Sequence, residues 1–206
     1  TTSKAIVAGK TIVGIVISRD NAKSTDVKLP NDCTHGLVLA LGQGEGNWSS
    51  SYDAGKVNNW ALANGYQNTT GTYYDGGAWS YVKNEYAKLL LGYNNTMALK
   101  GYIAQNAYSS GIIEALTAYS IQKPASVSDL YIPSISEMEL IYSNVGVINA
   151  SLQAAGGSVL ENEAYWTVSE NERSKANAAT VNPMTGSLQG GKLKSATARV
   201  RFIFAF

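Results

Sequence analysis

The stretch "AYWTVSEN", Ala164–Asn171, decides how the chain is read. Successive side chains of a strand point to opposite faces, so Tyr165 and Trp166 would face opposite ways, with Trp166, Val168 and Glu170 sharing one side. At least one of two such rings is then core. Glu161 and Glu163 before the strand, with Glu170 and Glu172 at its end, form a carboxylate group that invites a catalytic reading. Two carboxyls about 5 to 10 Å apart could hydrolyse a glycoside. The simpler reading is framework: Glu170 bonds local backbone or an arginine, and the others are solvated.

Working outward, the C-terminal third has a period of two. Strand segments are expected at "AYWTVSE", "KANAATVNPMTGSLQGGK" and "SATARVRFIFAF", with "NPMTG" as a hairpin turn. In the last of them Ala198, Val200, Phe202, Phe204 and Phe206 share one face and Thr197, Arg199, Arg201, Ile203 and Ala205 the other, a pattern that predicts a docked strand. Arg199 and Arg201 beside Ile203 predict partial burial with Glu partners. Upstream, "LYIPSISEMELIYSN" carries Pro133 to stop a strand, a Ser134/Glu137 capping box, and Ile135, Met138, Ile141 and Val145 at helical spacing. "VINASLQAAGG" reads as a second short helix closed by Gly156-Gly157.

The N-terminal half is less regular. "KTIVGIVISR" (Lys10–Arg19) and "THGLVLALGQ" have apolar residues at both alternating sets and predict strands covered on both faces. "NNTMALKGYIAQNAY" predicts a helix capped by Asn95 or Thr96, and "GIIEALTAYS" its continuation or a second helix. Residues 42–81 form a long region rich in Gly, Ser, Asn, Thr, Tyr and Trp, interrupted by Ala54, Val57, Trp60 and Ala61 at helical spacing before a Gly65 C-cap.

Composition bounds the function classes. The 206 residues are 45% hydrophobic and 15% charged, enough for one generous core without a staple. A net charge of +1 gives no footprint for nucleic acid or an anionic membrane. No apolar run reaches the length of a membrane-spanning helix, so membrane insertion is not expected. No basic stretch followed by an apolar one stands at Thr1, so any signal peptide is expected to have been removed or never included. Cys33 is the only cysteine and excludes an intrachain disulfide. With His35 it offers two metal ligands, and the chain has no other Cys or His to complete a site. Thirteen Tyr and four Trp against three Phe favour rings with one wet end.

The ordered set "YIPSISEMELIY", "INASLQAAGG", "YWTVSE", a Gly-turn hairpin and "ARVRFIFAF" resembles the C-terminal half of C-type-lectin-like domains, in particular those of surface and fimbria-associated proteins of Bacteroidetes bacteria. "HGLVLAL" and "NNTMALKGYIAQN" resemble the same group, so the likeness covers most of the chain. It implies an α+β, C-type-lectin-like fold with paired terminal strands, flanking helices and a loop-rich small sheet, in a single domain spanning residues 1–206. That fold also serves phage receptor-binding proteins and formylglycine-generating enzymes. The enzymes depend on a late cysteine pair, and no Cys follows Cys33 here. The Glu-Pro-Asn, Gln-Pro-Asp and Trp-Asn-Asp strings of calcium-dependent sugar-binding relatives are also missing, so no metal and no cofactor is expected. Asp20, Asp26 and Asp32 fit no calcium-loop spacing.

The resulting expectation is a non-catalytic binding or adhesion module of an exported protein, outer membrane-associated or fimbrial, that recognises a glycan or protein ligand at the cell surface. Rigid aromatic rings among small polar residues suit a contact surface. The candidate ligand-binding residues are Asn47, Trp48, Tyr73, Tyr74, Asp75 and Trp79. The second expectation is a structural or tip subunit in a fimbria-like assembly, whose partners are other fimbrial subunits.

Overall fold

The computed structural model describes residues 11–50, 56–74 and 81–206. Eight strands join one mixed sheet and five α-helices pack against it, an α+β architecture. The strands are β1 (Gly14–Ser18), β2 (Leu37–Asn47), β3 (Thr70–Tyr74), β4 (Tyr81–Lys83), β5 (Tyr165–Asn171), β6 (Asn177–Val181), β7 (Leu188–Leu193) and β8 (Thr197–Ala205). The helices are α1 (Val57–Ala63), α2 (Gly92–Asn106), α3 (Gly111–Ala118), α4 (Ile135–Ser143) and α5 (Val145–Ala155). The sheet runs β1-β2-β8-β5-β3-β4, with β6 and β7 branching from β5.

The strand opened by Tyr165 is the spine. All seven residues of β5 are buried. Its first half pairs parallel with β8, its second half parallel with β3, and β6 runs antiparallel to it. Tyr165 belongs to a core cluster with Leu37, Leu39, Met138, Ile141, Leu152 and Ile203, beneath α4 and α5. Trp166 belongs to a second cluster with Trp48, Leu99, Ile112, Val200 and Phe202, beneath α2 and α3. Both rings are therefore core, one on each side of the sheet. The alternation expected for β8 is realised too: Val200 and Phe202 enter one cluster, Ile203 and Ala205 the other.

Helix ends follow the local chemistry. The Ser134/Glu137 capping box opens α4, and Glu137 Oε2 accepts from the Ser134 N–H at 2.6 Å. Gly156 closes α5 with φ +74, and Gly65 follows α1 with φ +73, the left-handed conformation that a side chain would resist. Helix α2 starts at Gly92, ahead of the Asn95 or Thr96 expected from sequence. Its cap is remote: Asp26, 68 residues away, accepts from the Asn94 N–H at 2.7 Å.

Several expectations change. Among the described residues the first strand does not pair with the last: β2 lies between β1 and β8. The separate small sheet is absent among the described residues, because β3, β4, β6 and β7 all join the main one. Among the described residues strand β1 is an edge strand, with Ile17 packing inward on one face while Val16 on the other is 55% exposed. The middle C-terminal segment folds into two strands, giving the β6–β7 hairpin about the Asn182–Gly186 turn. Residues 42–81 are not one loop either. They hold the end of β2, all of α1 and β3, and the first residue of β4, because Trp48, Val57 and Ala61 anchor them in the second core cluster.

Candidate functional site

The described part of 42–81 is fixed by one buried polar centre. Glu170, 1% exposed, ends the buried face of β5 at the N-terminus of α1. Its two oxygens accept from the Val57 N–H at 3.1 Å and the Asn58 N–H at 2.7 Å, and from Thr69 Oγ1 at 3.0 Å. Free N–H groups of a first helical turn favour an anion at this position. The counter-charge is Lys194, fully buried, whose ammonium donates to Glu170 and lies 4.5 Å from the centroid of the Trp48 ring. The sequence pointed to local backbone or an arginine as the partner. The backbone is present, but the cation is a lysine from the β7–β8 turn.

The remaining glutamates of the group serve the surface. Glu161 and Glu163 both pair with Arg199, at 3.0 and 2.7 Å. Glu172 accepts from Asn84 Nδ2 at 3.1 Å. Arg201 departs from expectation: it is buried with no carboxylate partner among the described residues. It donates to the carbonyls of Ser158 (2.8 Å) and Ala40 (2.9 Å), and burial brings its guanidinium down to about 10. Cys33 is buried, which pushes its thiol up, and the His35 ring stacks on Phe206 at 6.4 Å. Among the described residues no three His, Cys, Asp or Glu side chains converge.

Two other carboxylates are perturbed by burial. Asp26 is pushed up to about 6 and Glu137 to about 7, desolvation dominating in both and outweighing the backbone N–H groups that they accept from. A raised carboxyl stabilises the fold below its unfolded value, and that contribution is lost as pH rises through the folded value. Stability is therefore expected to fall between about pH 4 and pH 7, on the order of several degrees in Tm. Thermal melts across that range should show the slope in the wild type, and Glu137→Gln should flatten its upper part.

The sequence-nominated contact residues separate into four groups. Trp48 is 1% exposed and donates from Nε1 to the Thr167 carbonyl at 3.1 Å, so it is core and supplies no stacking surface. Asn47 is half-buried and Oδ1 accepts from the Gly111 N–H at 3.0 Å, a bond that seats α3 on β2. Tyr73 and Tyr74 lie together on β3, both half-buried. Asp75 and Trp79 lie outside the described residues.

At Tyr74 a cleft of about 300 Å³ opens, lined by Tyr74, Tyr81, Asn171, Arg173, Ser174 and Asn177. Tyr74 and Tyr81 are directly paired across β3 and β4, their ring centroids 5.9 Å apart and their planes 55° apart. Asn171 builds the floor. Its Oδ1 accepts from the Arg173 and Ser174 N–H groups, both at 2.9 Å, which turns the chain out of β5. Its Nδ2 donates to the Gly190 carbonyl at 3.0 Å, tying that turn to β7. Gly191 leaves the Tyr81 ring its place, because a Cβ there would collide with the phenol. Arg173 is held above the Tyr73 ring at 4.9 Å and donates from Nη1 to the Tyr74 carbonyl at 2.8 Å. Of the residues lining this cleft, sequence reasoning nominated Tyr74 and missed Tyr81, Arg173 and Asn177, the last two brought to it by the β5–β6 turn from a hundred residues away.

Comparison with known proteins places the fold. The whole chain superposes on part of a fimbrial protein from Bacteroides ovatus ATCC 8483, known from a crystal structure, with a TM-score of 0.79 and 22% identity. The match covers 100% of this chain and 46% of the fimbrial protein, so the chain spans about half the length of that protein. No family model matches the sequence. No curated protein matches it either.

Proposed function

We propose that the chain is a non-enzymatic domain of a fimbria-type protein at the surface of a Bacteroidetes bacterium, associating with other fimbrial subunits. The observation that carries this reading is the superposition of the whole chain on a fimbrial protein at a TM-score of 0.79. It supports the assembly expectation over the adhesion one. The edge strand β1, which has no further strand partner among the described residues, is consistent with a domain that meets other chains. No described helix is long and apolar enough to cross a membrane. The finer assignment to a C-type-lectin-like domain rests on the ordered Pro-Ser-x-x-Glu and Tyr-Trp-x-x-Ser-Glu motifs at Pro133–Glu137 and Tyr165–Glu170. The second reading, an adhesion module, is favoured by the tyrosine cleft beside Arg173.

The assembly reading predicts that mechanical shearing of intact cells releases the chain in fibres far larger than its own mass, detected by antibody after sedimentation. Recovery solely from the cytosol of broken cells would overturn it.

A further inference from the structure

We propose that Asn64 is a site of spontaneous deamidation, the Asn64-Gly65 step closing to a succinimide that water opens to aspartate and isoaspartate. The inference goes beyond the assembly reading and does not rest on it.

The chemistry starts from the pair itself. Asn64-Gly65 is the one Asn-Gly step in the sequence. Everywhere else the residue after an asparagine carries a Cβ that crowds its nitrogen, and after Asn182 it is Pro183, which has no N–H. The ring closes when the Gly65 backbone nitrogen, after losing its proton to solvent base, attacks Asn64 Cγ. The N–Cγ bond forms, the Cγ–Nδ2 bond breaks, and Nδ2 leaves as ammonia. Water then adds to either succinimide carbonyl and the ring opens to a carboxylate, so water is the only reagent consumed.

The structure places the pair where this can run. Asn64 caps the C-terminal end of α1, Gly65 takes the left-handed turn at φ +73, and both residues are exposed. Beyond the chain neighbours of Gly65, no heavy atom stands within 4 Å of where its Cβ would be, so the turn has room to rearrange. The attacking nitrogen is loosely held, since the Gly65 N–H donates to the Leu62 carbonyl at 3.3 Å. The amide is held more firmly, Asn64 Nδ2 donating to the Trp60 carbonyl at 2.8 Å. That bond lies in the last turn of a helix of 7 residues, and such ends open before the core does. Asn94, Asn95 and Asn171 are buried and lack this freedom.

Either product disturbs the end of α1. Aspartate puts a negative charge beside carbonyls that favour cations, and the donor to the Trp60 carbonyl is lost. Isoaspartate adds a methylene to the main chain, in the turn that the Tyr66 N–H closes on the Ala61 carbonyl at 2.9 Å. Tyr66 stacks on Trp60 with ring centroids 5.8 Å apart, and Trp60 lies against Gly101, so the change reaches the contact between α1 and α2.

The test is peptide mapping by mass spectrometry of the purified, folded chain after weeks in mildly alkaline buffer, with isoaspartate counted by enzymatic methylation. Asn64 is expected to be the fastest-modified asparagine, with isoaspartate among its products. Asn64→Gln, at an exposed position, should fold normally and remove most of the isoaspartate signal. Asn64→Asp, standing in for the aged chain, is expected to lower Tm by about 2–4 °C. Modification concentrated at another asparagine would overturn the proposal. So would a folded chain that stays intact at Asn64, whether or not the same chain in urea reacts there, because the bond to Trp60 would then be protecting the amide. A Tm for Asn64→Asp equal to that of the wild type would overturn the structural consequence.

Discussion

Glu170→Gln is expected to cost the fold about 3–5 kcal/mol. The exchange is nearly isosteric, so no cavity explains the loss. It leaves the fully buried Lys194 ammonium with the Trp48 ring as its remaining charge partner. It also replaces one of two acceptor oxygens by a donor, although the Val57 and Asn58 N–H groups and Thr69 Oγ1 all point at the carboxylate. An unpaired buried charge costs more than the pair contributed. Chemical denaturation should therefore show the double variant Glu170→Gln/Lys194→Met to be less destabilised than the sum of its parts. Additive losses would mean that the two groups do not act as a pair. For a domain of this size the single substitution corresponds to a drop of roughly 10 °C in Tm.

Trp166→Ala is the second large effect, again about 3–5 kcal/mol. Trp166 is fully buried, packs in the cluster of Leu99, Ile112, Val200 and Phe202, and donates from Nε1 to the Gly46 carbonyl at 3.0 Å. The bond ties β5 to β2 across β8, so the deletion removes both packing volume and a link between strands. Trp166→Phe separates the two contributions. It keeps most of the ring and leaves the Gly46 carbonyl without its donor, at an expected cost of about 1–3 kcal/mol. Equal losses for the two variants would show that the hydrogen bond, not the packing, dominates.

Both positions lie in the strand that could be read from sequence most directly. The alternation in Ala164–Asn171 was enough to place Trp166 and Tyr165 on opposite faces, and the capping box and the Gly65 and Gly156 termini were equally legible, because each is a local signal. What could not be read is non-local. Nothing near Asn94 announces that Asp26 caps α2. Nothing near Glu170 announces Lys194. Strand β1 looks central because Ile15, Val16 and Ile17 are all β-branched, yet composition does not say how many neighbours a strand has. Trp48 shares the Gly- and Ser-rich setting of the tyrosines, and only the sheet register decides that it turns inward while Tyr74 stays half-buried. The cleft was half visible for the same reason. Its tyrosines stand in one sequence window, and Arg173 joins them through the parallel pairing of β3 with β5.

The likeness in fold and the chemistry of the surface support different parts of the account. The superposition bears on the fold, and the cleft beside Arg173 on what the surface offers.

The most direct test of the surface role is immunogold electron microscopy of intact cells of the encoding bacterium, with antibody raised against this chain and a deletion strain as control. The account predicts gold particles along fibres projecting from the wild-type envelope and none on the deletion strain. Labelling confined to the interior of sectioned cells, with bare fibres outside, would contradict it.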